Sequence, residues 1–257
     1  MLFSQNPLQQ LRMRQPNWRP HIAESYPNGS SKSIVFFEPR GKEQEAPVKQ
    51  IFFFERGNIH VEMDLTTVSE DTDAYAQWSS AIIPHGVRVE FRKDGSLLNV
   101  AQYNKGILEG NFQTFFQSGK VQSSCTYRNG VLNGSVVNFY DSGEKKEEGQ
   151  YVNGKLHGEY VYFFENGNRS SLLTYNEGVI EGKVTEWHEN GTVKAHRLFS
   201  NGKQQGDGKS PALLVYDEKR TLREALDFIE GKPDGIHLRY HENGIESYRV
   251  VYEEGQK

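Results

Sequence analysis

The stretch "YVNGKLHGEYVYFFENG", residues 151–167, decides the fold because the chain repeats its pattern every 24 residues. Residues 207–211, "DGKSP", interrupt the pattern, which then resumes with Gly235, Gly244 and Gly255. Internal periods of this size are typical of solenoids and repeat arrays. The sequence therefore predicts seven units over residues 86–257, the last of them stopping just short of completion. Glycines mark the period at positions 86, 110, 134, 158, 182 and 206, at 95, 119, 143, 167 and 191, and at 106, 130, 154, 178 and 202.

Aromatic residues keep the same phase as the glycines and form two ladders through all seven units. The first ladder lies four residues before the turn position, which is a glycine in all units but one, where Arg220 stands: Phe91, Phe115, Phe139, Phe163, Trp187, Tyr216 and Tyr240. The second ladder lies eight residues after it: Tyr103, Tyr127, Tyr151, Tyr175, Phe199, Phe228 and Tyr252.

Each unit is predicted to be a β-hairpin with a three-residue loop such as "ENG", whose last glycine takes a positive φ. This loop places the residue four before the glycine opposite the residue two after it. Strict alternation of side chains then predicts one face that carries both aromatic ladders. In the first unit that face would hold Val89, Phe91, Leu97, Ala101 and Tyr103.

The predicted fold class is all-β, an elongated single-layer antiparallel sheet of repeated 24-residue β-hairpins. Because each hairpin buries its apolar residues only against its neighbours, the architecture is that of a solenoid. Residues 1–85 are predicted to form an N-terminal region of degenerate hairpins, in 25–37 and 50–63, followed by a connector in 69–85. The segment "TLREALDFIEG" (221–231) has helical propensity, but the repeat phase favours a strand there.

Composition limits the classes of function. The hydrophobic fraction is 35%, the net charge is −4 and the basic residues are scattered, so no nucleic-acid partner is expected. Cys125 is the only cysteine, which favours a reducing compartment. We find neither a classical signal peptide nor an apolar run long enough for a membrane helix, so a cytoplasmic location is expected, with secretion by a route that reads no cleavable signal left open.

The phrases "YVNGKLHG" (151–158), "YNEGVIEG" and "YRNGVLNG" resemble the MORN repeat family, and the added "ENG" turn is similar to the bacterial MORN-variant repeats of the YwqK antitoxin-like family. The resemblance covers about residues 86–257. It implies a β-sheet that serves as a binding or scaffolding platform, and an antitoxin role. The common MORN form has a glycine where this chain has Tyr160, which argues against carrying over lipid binding.

No motif for chemistry survives inspection. The triplet Gly208-Lys209-Ser210 lacks the upstream glycine of a phosphate-binding loop and is predicted to be an exposed turn. His237 and His241 would lie about 13 Å apart on a strand, which is too far for a shared metal. Cys125 occupies a packing position of the repeat. We therefore expect a non-enzymatic protein with no cofactor and no metal.

The candidate site is a stripe of aromatic side chains in three adjacent units, predicted on the face opposite the ladders: Phe112, Phe116, Tyr140, Tyr160, Tyr162 and Phe164. Such a stripe marks an interaction site unless another layer, for example residues 1–80, covers it. We predict a protein-binding module that acts as an antitoxin- or immunity-type neutraliser of a toxin or effector. The alternatives are a membrane- or lipid-associated MORN scaffold, for which membrane association is the weaker expectation, and an accessory repeat domain of a larger effector or of chemistry in residues 1–80. The sequence leaves self-association open.

Overall fold

A computed structural model describes residues 11–41 and 43–257. Contacts between backbone positions divide the chain into two compact units, residues 1–132 (unit 1) and 133–257 (unit 2). Both units are built from antiparallel strands that pair with strands close to them in the sequence. The prediction of an all-β fold made of repeated hairpins is therefore confirmed. The predicted boundary at residues 85 and 86 is one of repeat phase and stays a prediction.

Among the residues of unit 1 that the structure describes, one short helix lies between the strands. The elements are β1 (Arg19–Ser25), β2 (Ser31–Arg40), β3 (Gln44–Phe53), β4 (Ile59–Thr67), α1 (Asp73–Trp78), β5 (Ile82–Phe91), β6 (Leu97–Asn104), β7 (Ile107–Phe115) and β8 (Val121–Arg128).

Unit 2 consists of strands, the turns that join them and one longer loop, residues 205–212. The strands are β9 (Val131–Phe139, of which 133–139 belong to unit 2), β10 (Lys145–Val152), β11 (Lys155–Leu156), β12 (Gly158–Phe163), β13 (Arg169–Asn176), β14 (Val179–Ile180), β15 (Gly182–Trp187), β16 (Val193–Ser200), β17 (Lys203–Gln204), β18 (Leu213–Tyr216), β19 (Leu222–Leu226), β20 (Phe228–Ile229), β21 (Lys232–Pro233), β22 (Gly235–Tyr240) and β23 (Glu246–Tyr252). Strands β19 and β20 cover most of 221–231, so the repeat phase predicted this segment correctly.

The predicted three-residue loop is present. In the hairpin of β12 and β13, Phe164 N donates to Asn168 O at 2.8 Å and Gly167 N donates to Phe164 O at 3.0 Å. Gly167 has a φ of 85°, which an L side chain adopts only with strain. Phe163 lies opposite Arg169, the register that the sequence predicts. The same turn joins β1 to β2 and β3 to β4, and thus the N-terminal region continues the hairpin pattern.

A β-bulge next to each turn changes which side chains share a face. Between β12 and β13, Tyr162 pairs with Ser171 while Phe163 pairs with Arg169, so Ser170 is an extra residue. The sequence analysis assumed strict alternation and placed both ladders on one face, which is wrong. In the first predicted unit Phe91, Leu97 and Val89 share one face, whereas Ala101 and Tyr103 lie on the other.

We call these two surfaces the phenylalanine face and the tyrosine face. The phenylalanine face carries the first ladder and, in unit 1, the cluster Val87, Val89, Val100 and Phe115, against which Leu11, Phe91, Leu97 and Val121 pack. The tyrosine face carries the second ladder, including Tyr103, Tyr127, Tyr151 and Tyr175. The aromatic residues therefore stabilise both sides of the sheet.

The second turn of each unit is a two-residue hairpin. Asn153 and Gly154 both have positive φ values, 49° and 79°, as a type I′ turn requires. The equivalent turn in the next hairpin bonds to the strand that follows this turn: Gly178 N donates to Leu156 O at 2.8 Å. Leu156, two residues after this turn, is half-buried.

Two segments cover parts of the sheet in unit 1. Arg12 N donates to Asp64 Oδ2 at 3.3 Å, and the buried Trp18 donates through Nε1 to Glu38 Oε1 at 3.3 Å. Residues 11–18 thus lie against the phenylalanine face. On the tyrosine face, Trp78 of α1 contacts Tyr103 edge to face at 6.1 Å. The region 69–85, predicted to be a connector, accordingly contains the helix that packs against a repeat.

A buried ionic cluster lies near the segment 11–18. Lys49 is completely buried, and its Nζ lies 3.0 Å from Asp64 Oδ1 and 2.8 Å from Glu62 Oε1. The angles at Nζ and Asp64 Oδ1 miss hydrogen-bond geometry, so charge attraction holds this ion pair. Two carboxylates surround one ammonium, which makes this lysine the sole positive charge within the cluster.

The residue three before the turn glycine connects neighbouring hairpins. In unit 1, Tyr26 Oη donates to Phe53 O at 2.7 Å and Arg92 Nη2 donates to Phe115 O. In unit 2, Tyr140 Oη donates to Phe163 O at 2.8 Å, and His188 Nε2 lies 3.1 Å from Tyr216 O. Different side chains thus reach the same kind of carbonyl, that of the first-ladder residue in the next hairpin.

The change Tyr140→Phe is expected to lower the free energy of unfolding by about 1 kcal/mol, because it leaves a part-buried carbonyl without its hydroxyl donor. Chemical denaturation monitored by far-ultraviolet circular dichroism measures this loss. Phe164→Tyr is the matched control, since it adds a hydroxyl at the equivalent position. Equal stability of Tyr140→Phe and the parent chain would contradict a connecting role for Tyr140.

Candidate protein-binding surface

Three of the six predicted site residues lie in strands, on the tyrosine face. Phe112 contacts Tyr127 edge to face at 6.1 Å, and Tyr160 contacts Tyr175 in the same way at 6.1 Å. The ring centres of Tyr160 and Tyr162 lie 5.1 Å apart. The prediction that these residues lie opposite both ladders is wrong, because they share their face with the second ladder.

The other three predicted residues, Phe116, Tyr140 and Phe164, begin the three-residue turns and are half-buried. Tyr140 uses its hydroxyl within the protein, as described above. The six residues therefore do not form one stripe, since some serve the turns and others the tyrosine face. Their role in binding a partner stays a prediction.

Unit 2 brings together four tyrosines of the tyrosine face: Tyr151, Tyr160, Tyr162 and Tyr175, which we call the tyrosine patch. Tyr160 is 6% exposed, whereas the other three are half-buried and present part of their surface to solvent. Gly149 makes room for Tyr160, because a Cβ at this glycine would lie 2.2 Å from the Cδ2 atom of the ring. The second ladder supplies Tyr151 and Tyr175, but the repeat does not require Tyr160 and Tyr162.

Glu147 lies at the edge of the tyrosine patch, directly opposite Tyr162 on the neighbouring strand. Burial raises the pKa of Tyr160 well above its ordinary value, and the charge of Glu147 raises it further. Burial and then Glu147 also raise the pKa of Tyr162. Both tyrosines therefore keep their hydroxyl protons at neutral pH and can serve as hydrogen-bond donors.

The sequence analysis missed three parts of this surface. It assigned Tyr151 and Tyr175 to the opposite face, and it singled out neither Glu147 nor Gly149. Counting one bulge residue after each turn would have placed all of them beside Tyr160. The bulge has no residue signature of its own, since its position is filled by Leu98, Gln122, Lys146 and Ser170 in successive units.

The other residues considered for chemistry, Cys125 and the Gly208-Lys209-Ser210 triplet, have surroundings typical of packing and turn positions. Cys125 is half-buried, and burial raises the pKa of its thiol, against a smaller opposing effect of Tyr127. Asp207 Oδ1 accepts from the backbone of Lys209 and Ser210 at 2.8 Å, as in an ordinary exposed turn. Within residues 11–41 and 43–257, no group of three or more His, Cys, Asp or Glu residues could hold a metal ion. In the same ranges, no helix is long and apolar enough to cross a membrane.

A carboxylate cluster lies on the tyrosine face farther along unit 2. The buried His237 lies with Nε2 2.6 Å from Glu224 Oε1, and Arg239 Nε donates to the same oxygen at 3.1 Å. The guanidinium of Arg239 also lies over the ring of Tyr248, 5.5 Å from its centre. His188 and His241 occupy the same repeat position, and the structure leaves His188 half-buried and His241 exposed.

Stability should depend on pH through Glu224. Burial acts to raise its pKa, but the hydrogen bonds from His237 and Arg239 outweigh burial and lower it below the ordinary value. A lowered carboxyl pKa stabilises the fold above the unfolded value near about 4.3, and this stability is lost as the pH falls through the lowered value. Glu224→Gln is therefore expected to cost about 1 kcal/mol at pH 7 and less in acid.

Urea denaturation of the parent chain and of Glu224→Gln between neutral and acidic pH measures this difference. The exposed Glu242→Gln serves as the control, with no pH-dependent difference expected. A loss of stability in Glu224→Gln that stays constant at all pH values would show that charge at Glu224 has no part in it.

One known family of repeats matches part of the chain. The family described as MORN repeat variant matches residues 108–129, 132–153, 156–177 and 180–201. These four stretches are therefore similar to MORN-variant repeats, as the sequence predicted, and such repeats suggest a repeat-based interaction or scaffold module. No curated protein matches the chain.

The solved structures that align with the chain have low sequence identity to it and low TM-scores. A porin-like protein from Bacteroides uniformis is 8% identical over 86% of this chain and 97% of its own, with a TM-score of 0.19. A complex of TcdB2–TccC3 with Cdc42 is 11% identical over 88% of this chain, with a TM-score of 0.16, and this chain spans 17% of the chain it matches there. A Tc holotoxin pore of Photorhabdus luminescens is 10% identical over 88% and 18% of the two chains, with a TM-score of 0.16. Scores this low carry no inference about function.

Proposed function

We propose that the chain is a non-enzymatic module that binds a partner protein through the tyrosine patch of unit 2. The observation that carries this proposal is the local excess of tyrosine. At the repeat positions of Tyr160 and Tyr162, the other units carry pairs such as Arg88 and Glu90 or Val184 and Glu186. Tyrosine provides rigid amphipathic contact area and is enriched at protein interfaces, above all at their energetic centres.

The construction of unit 2 also supports the proposal. Unit 2 has no helix, unlike unit 1, where α1 packs on Tyr103 of the tyrosine face. The partly exposed rings of Tyr162 and Tyr175 pack against Tyr160, which is buried between them. A preorganised aromatic surface loses little side-chain entropy on binding.

The biological role that we propose is neutralisation of a toxin or effector, in the manner of an antitoxin or immunity protein. The resemblance to the bacterial MORN-variant repeats of the antitoxin-like family supports this role. A sheet face that covers a partner's surface would be sufficient, since neutralisation requires binding and no chemistry by the chain itself. The partner is a protein, and neither nucleic acid nor a cofactor has a part in the proposal.

Site-specific photocrosslinking tests the proposal. A benzoylphenylalanine at position 162 is expected to capture one defined protein in cells that express the chain, while the same group at Glu165, in the adjacent exposed turn, is not. The captured protein, once purified, should bind the parent chain at least about tenfold more tightly than Tyr162→Glu, a difference of about 1.4 kcal/mol.

Four results would oppose the proposal or part of it. Capture of the same proteins at 162 and 165 would remove the tyrosine patch as the binding surface, and so would equal binding by Tyr162→Glu. For the neutraliser role, expression of the captured protein should arrest growth, and the parent chain should relieve the arrest while Tyr162→Glu does not. Absence of arrest would reject neutralisation and leave a scaffold. Salt-sensitive recruitment to anionic vesicles by the parent chain and Tyr162→Glu alike would favour the membrane-associated alternative.

A further inference from the structure

The Glu147 carboxylate differs from other glutamates of the tyrosine face in having no cation beside it. Asn138 Nδ2 donates to Glu147 Oε1. In the part of the chain that the structure describes, no Lys, Arg or His nitrogen forms an ion pair with Glu147. The half-buried Glu147 carboxylate thus has only neutral donors, the Asn138 amide and the Tyr160 hydroxyl.

Other glutamates on the tyrosine face are neutralised from within the chain. Glu90 pairs with Arg88 at 3.0 Å, and Glu186 pairs with Arg197 at 2.9 Å. Glu224 has two partners, His237 and Arg239. Since desolvation makes an unpaired carboxylate costly, the repeat generally places a cation within reach of an acid on this face.

Glu224 and Glu147 occupy equivalent places, four residues after the turn position, and thus form an internal comparison. Arg239 lies directly opposite Glu224, as Tyr162 lies directly opposite Glu147. His237 and Tyr160 are likewise equivalent, two residues earlier on the same strands. The chain therefore shows the same backbone geometry twice, once with a guanidinium bound to the carboxylate and once with two tyrosines in place of the cations.

We propose that Glu147 and the tyrosine patch form a binding site for an arginine side chain of the partner protein. This inference rests on the proposed function and names the chemistry that the partner must present. A guanidinium can bond a carboxylate through two parallel N–H groups and stack flat on an aromatic ring, whereas an ammonium is a compact point charge without this planar fork. The Arg239 guanidinium already combines both contacts, with Glu224 and with Tyr248.

The tyrosines fit this role because their rings lie beside the carboxylate and their hydroxyl groups are neutral. Tyr162 lies opposite Glu147, and Tyr160 lies 5.1 Å from Tyr162, so aromatic surface borders the carboxylate. The rings of Tyr151 and Tyr175 widen this surface on the same face. A cation over such rings gains roughly 0.5–2 kcal/mol beyond its ion pair, the larger value when water is excluded.

A titration of the full chain with N-acetylarginine amide tests the site, read from the ring resonances of labelled tyrosines. We expect saturable shifts at Tyr151, Tyr162 and Tyr175 with a dissociation constant on the order of millimolar, as for a single side chain outside its protein. N-acetylcitrulline amide has the same shape without the charge and should cause no saturable shift. Glu147→Gln should raise the dissociation constant of the arginine probe at least about tenfold.

Two further variants sharpen the test. Glu186→Gln removes a carboxylate that is already paired with Arg197, and binding of the probe should not change. Tyr162→Arg copies the arrangement of Arg239, so its guanidinium should pair with Glu147 and abolish binding of the probe while the chain stays folded. Unchanged resonances of Tyr103 and Tyr127 in unit 1 would show that the fold is kept.

The arginine site would be rejected by any of three results: no saturable shift with the arginine probe, equal shifts with the citrulline probe, or unchanged binding by Glu147→Gln. Its failure is distinguishable from failure of the proposed function. If crosslinking at position 162 captures a partner whose binding survives Glu147→Gln, the protein-binding role stands and the arginine site falls. If the probe binds at Glu147 but position 162 captures no protein, the site stands without the proposed function.

Discussion

Lys49→Met is expected to lower the free energy of unfolding by about 3–5 kcal/mol at neutral pH, the cost of removing one partner from a buried ion pair. Lys49 is completely buried, and it is the only cation that the structure places within 4 Å of Asp64, which is 3% exposed. The methionine would fill much of the same space, but Asp64 and Glu62 would remain beside each other without a positive charge. Chemical denaturation of the parent chain and the variant measures the difference.

The change Lys49→Met in a background of Glu62→Gln and Asp64→Asn separates charge from packing. If the buried carboxylates cause the loss, the triple variant should recover most of the stability, because no uncompensated charge remains. A loss as large in the triple variant as in Lys49→Met alone would mean that packing of the lysine stem, not its charge, stabilises unit 1. Lys32→Met is the surface control, since its pair with Glu24 is exposed and should contribute little.

Gly149→Ala is expected to cost about 3 kcal/mol, although the new side chain is one methyl group. Its Cβ would lie 2.2 Å from Tyr160, and the buried ring cannot move away without losing its contacts with Tyr162 and Tyr175. Gly158→Ala is the control: it meets no atom within 4 Å but has a φ of 75°. Strain alone should make that change cost about 1 kcal/mol.

Replacement of the ring should restore the space. Elsewhere the repeat combines a larger residue with a smaller opposite one, as in Leu173 and Val184. The double variant Gly149→Ala/Tyr160→Val should therefore lose less stability relative to Tyr160→Val than Gly149→Ala loses relative to the parent chain. Denaturation of the four chains gives this coupling. Additive losses would contradict close packing of Gly149 against Tyr160.

Much of the fold could be predicted from the sequence because three glycine series and two aromatic ladders constrain the same turns. The phase placed a strand at 221–231 against local helical propensity, and it fixed Phe163 opposite Arg169. The helix Asp73–Trp78 falls in the connector 69–85, which the phase does not reach, so nothing in the repeat predicts that Trp78 would pack on Tyr103.

The candidate surface was only partly predictable, because its composition depends on a single residue in each hairpin. Tyr160 and Tyr162 were singled out as residues that the repeat does not require, and the structure places them beside each other. Their neighbours Tyr151 and Tyr175 were assigned to the other face, since the extra residue after the turn exchanges the two faces for the returning strand. Patterns of alternation cannot reveal an extra residue of variable type.

The bulge also has a consequence for how such a chain can change in length. Tyr127, Tyr151 and Tyr175 lie 24 residues apart and share one face in their hairpins, so a block of that size restores both the turn and the side of every residue. Unequal recombination between copies can therefore add or delete whole hairpins without inverting those that remain. A block of another length fits only where a loop can hold the difference, as residues 205–212 hold the insertion 207–211; within a strand it would move a turn glycine out of its turn. The number of hairpins and the surface side chains of each hairpin can thus evolve separately.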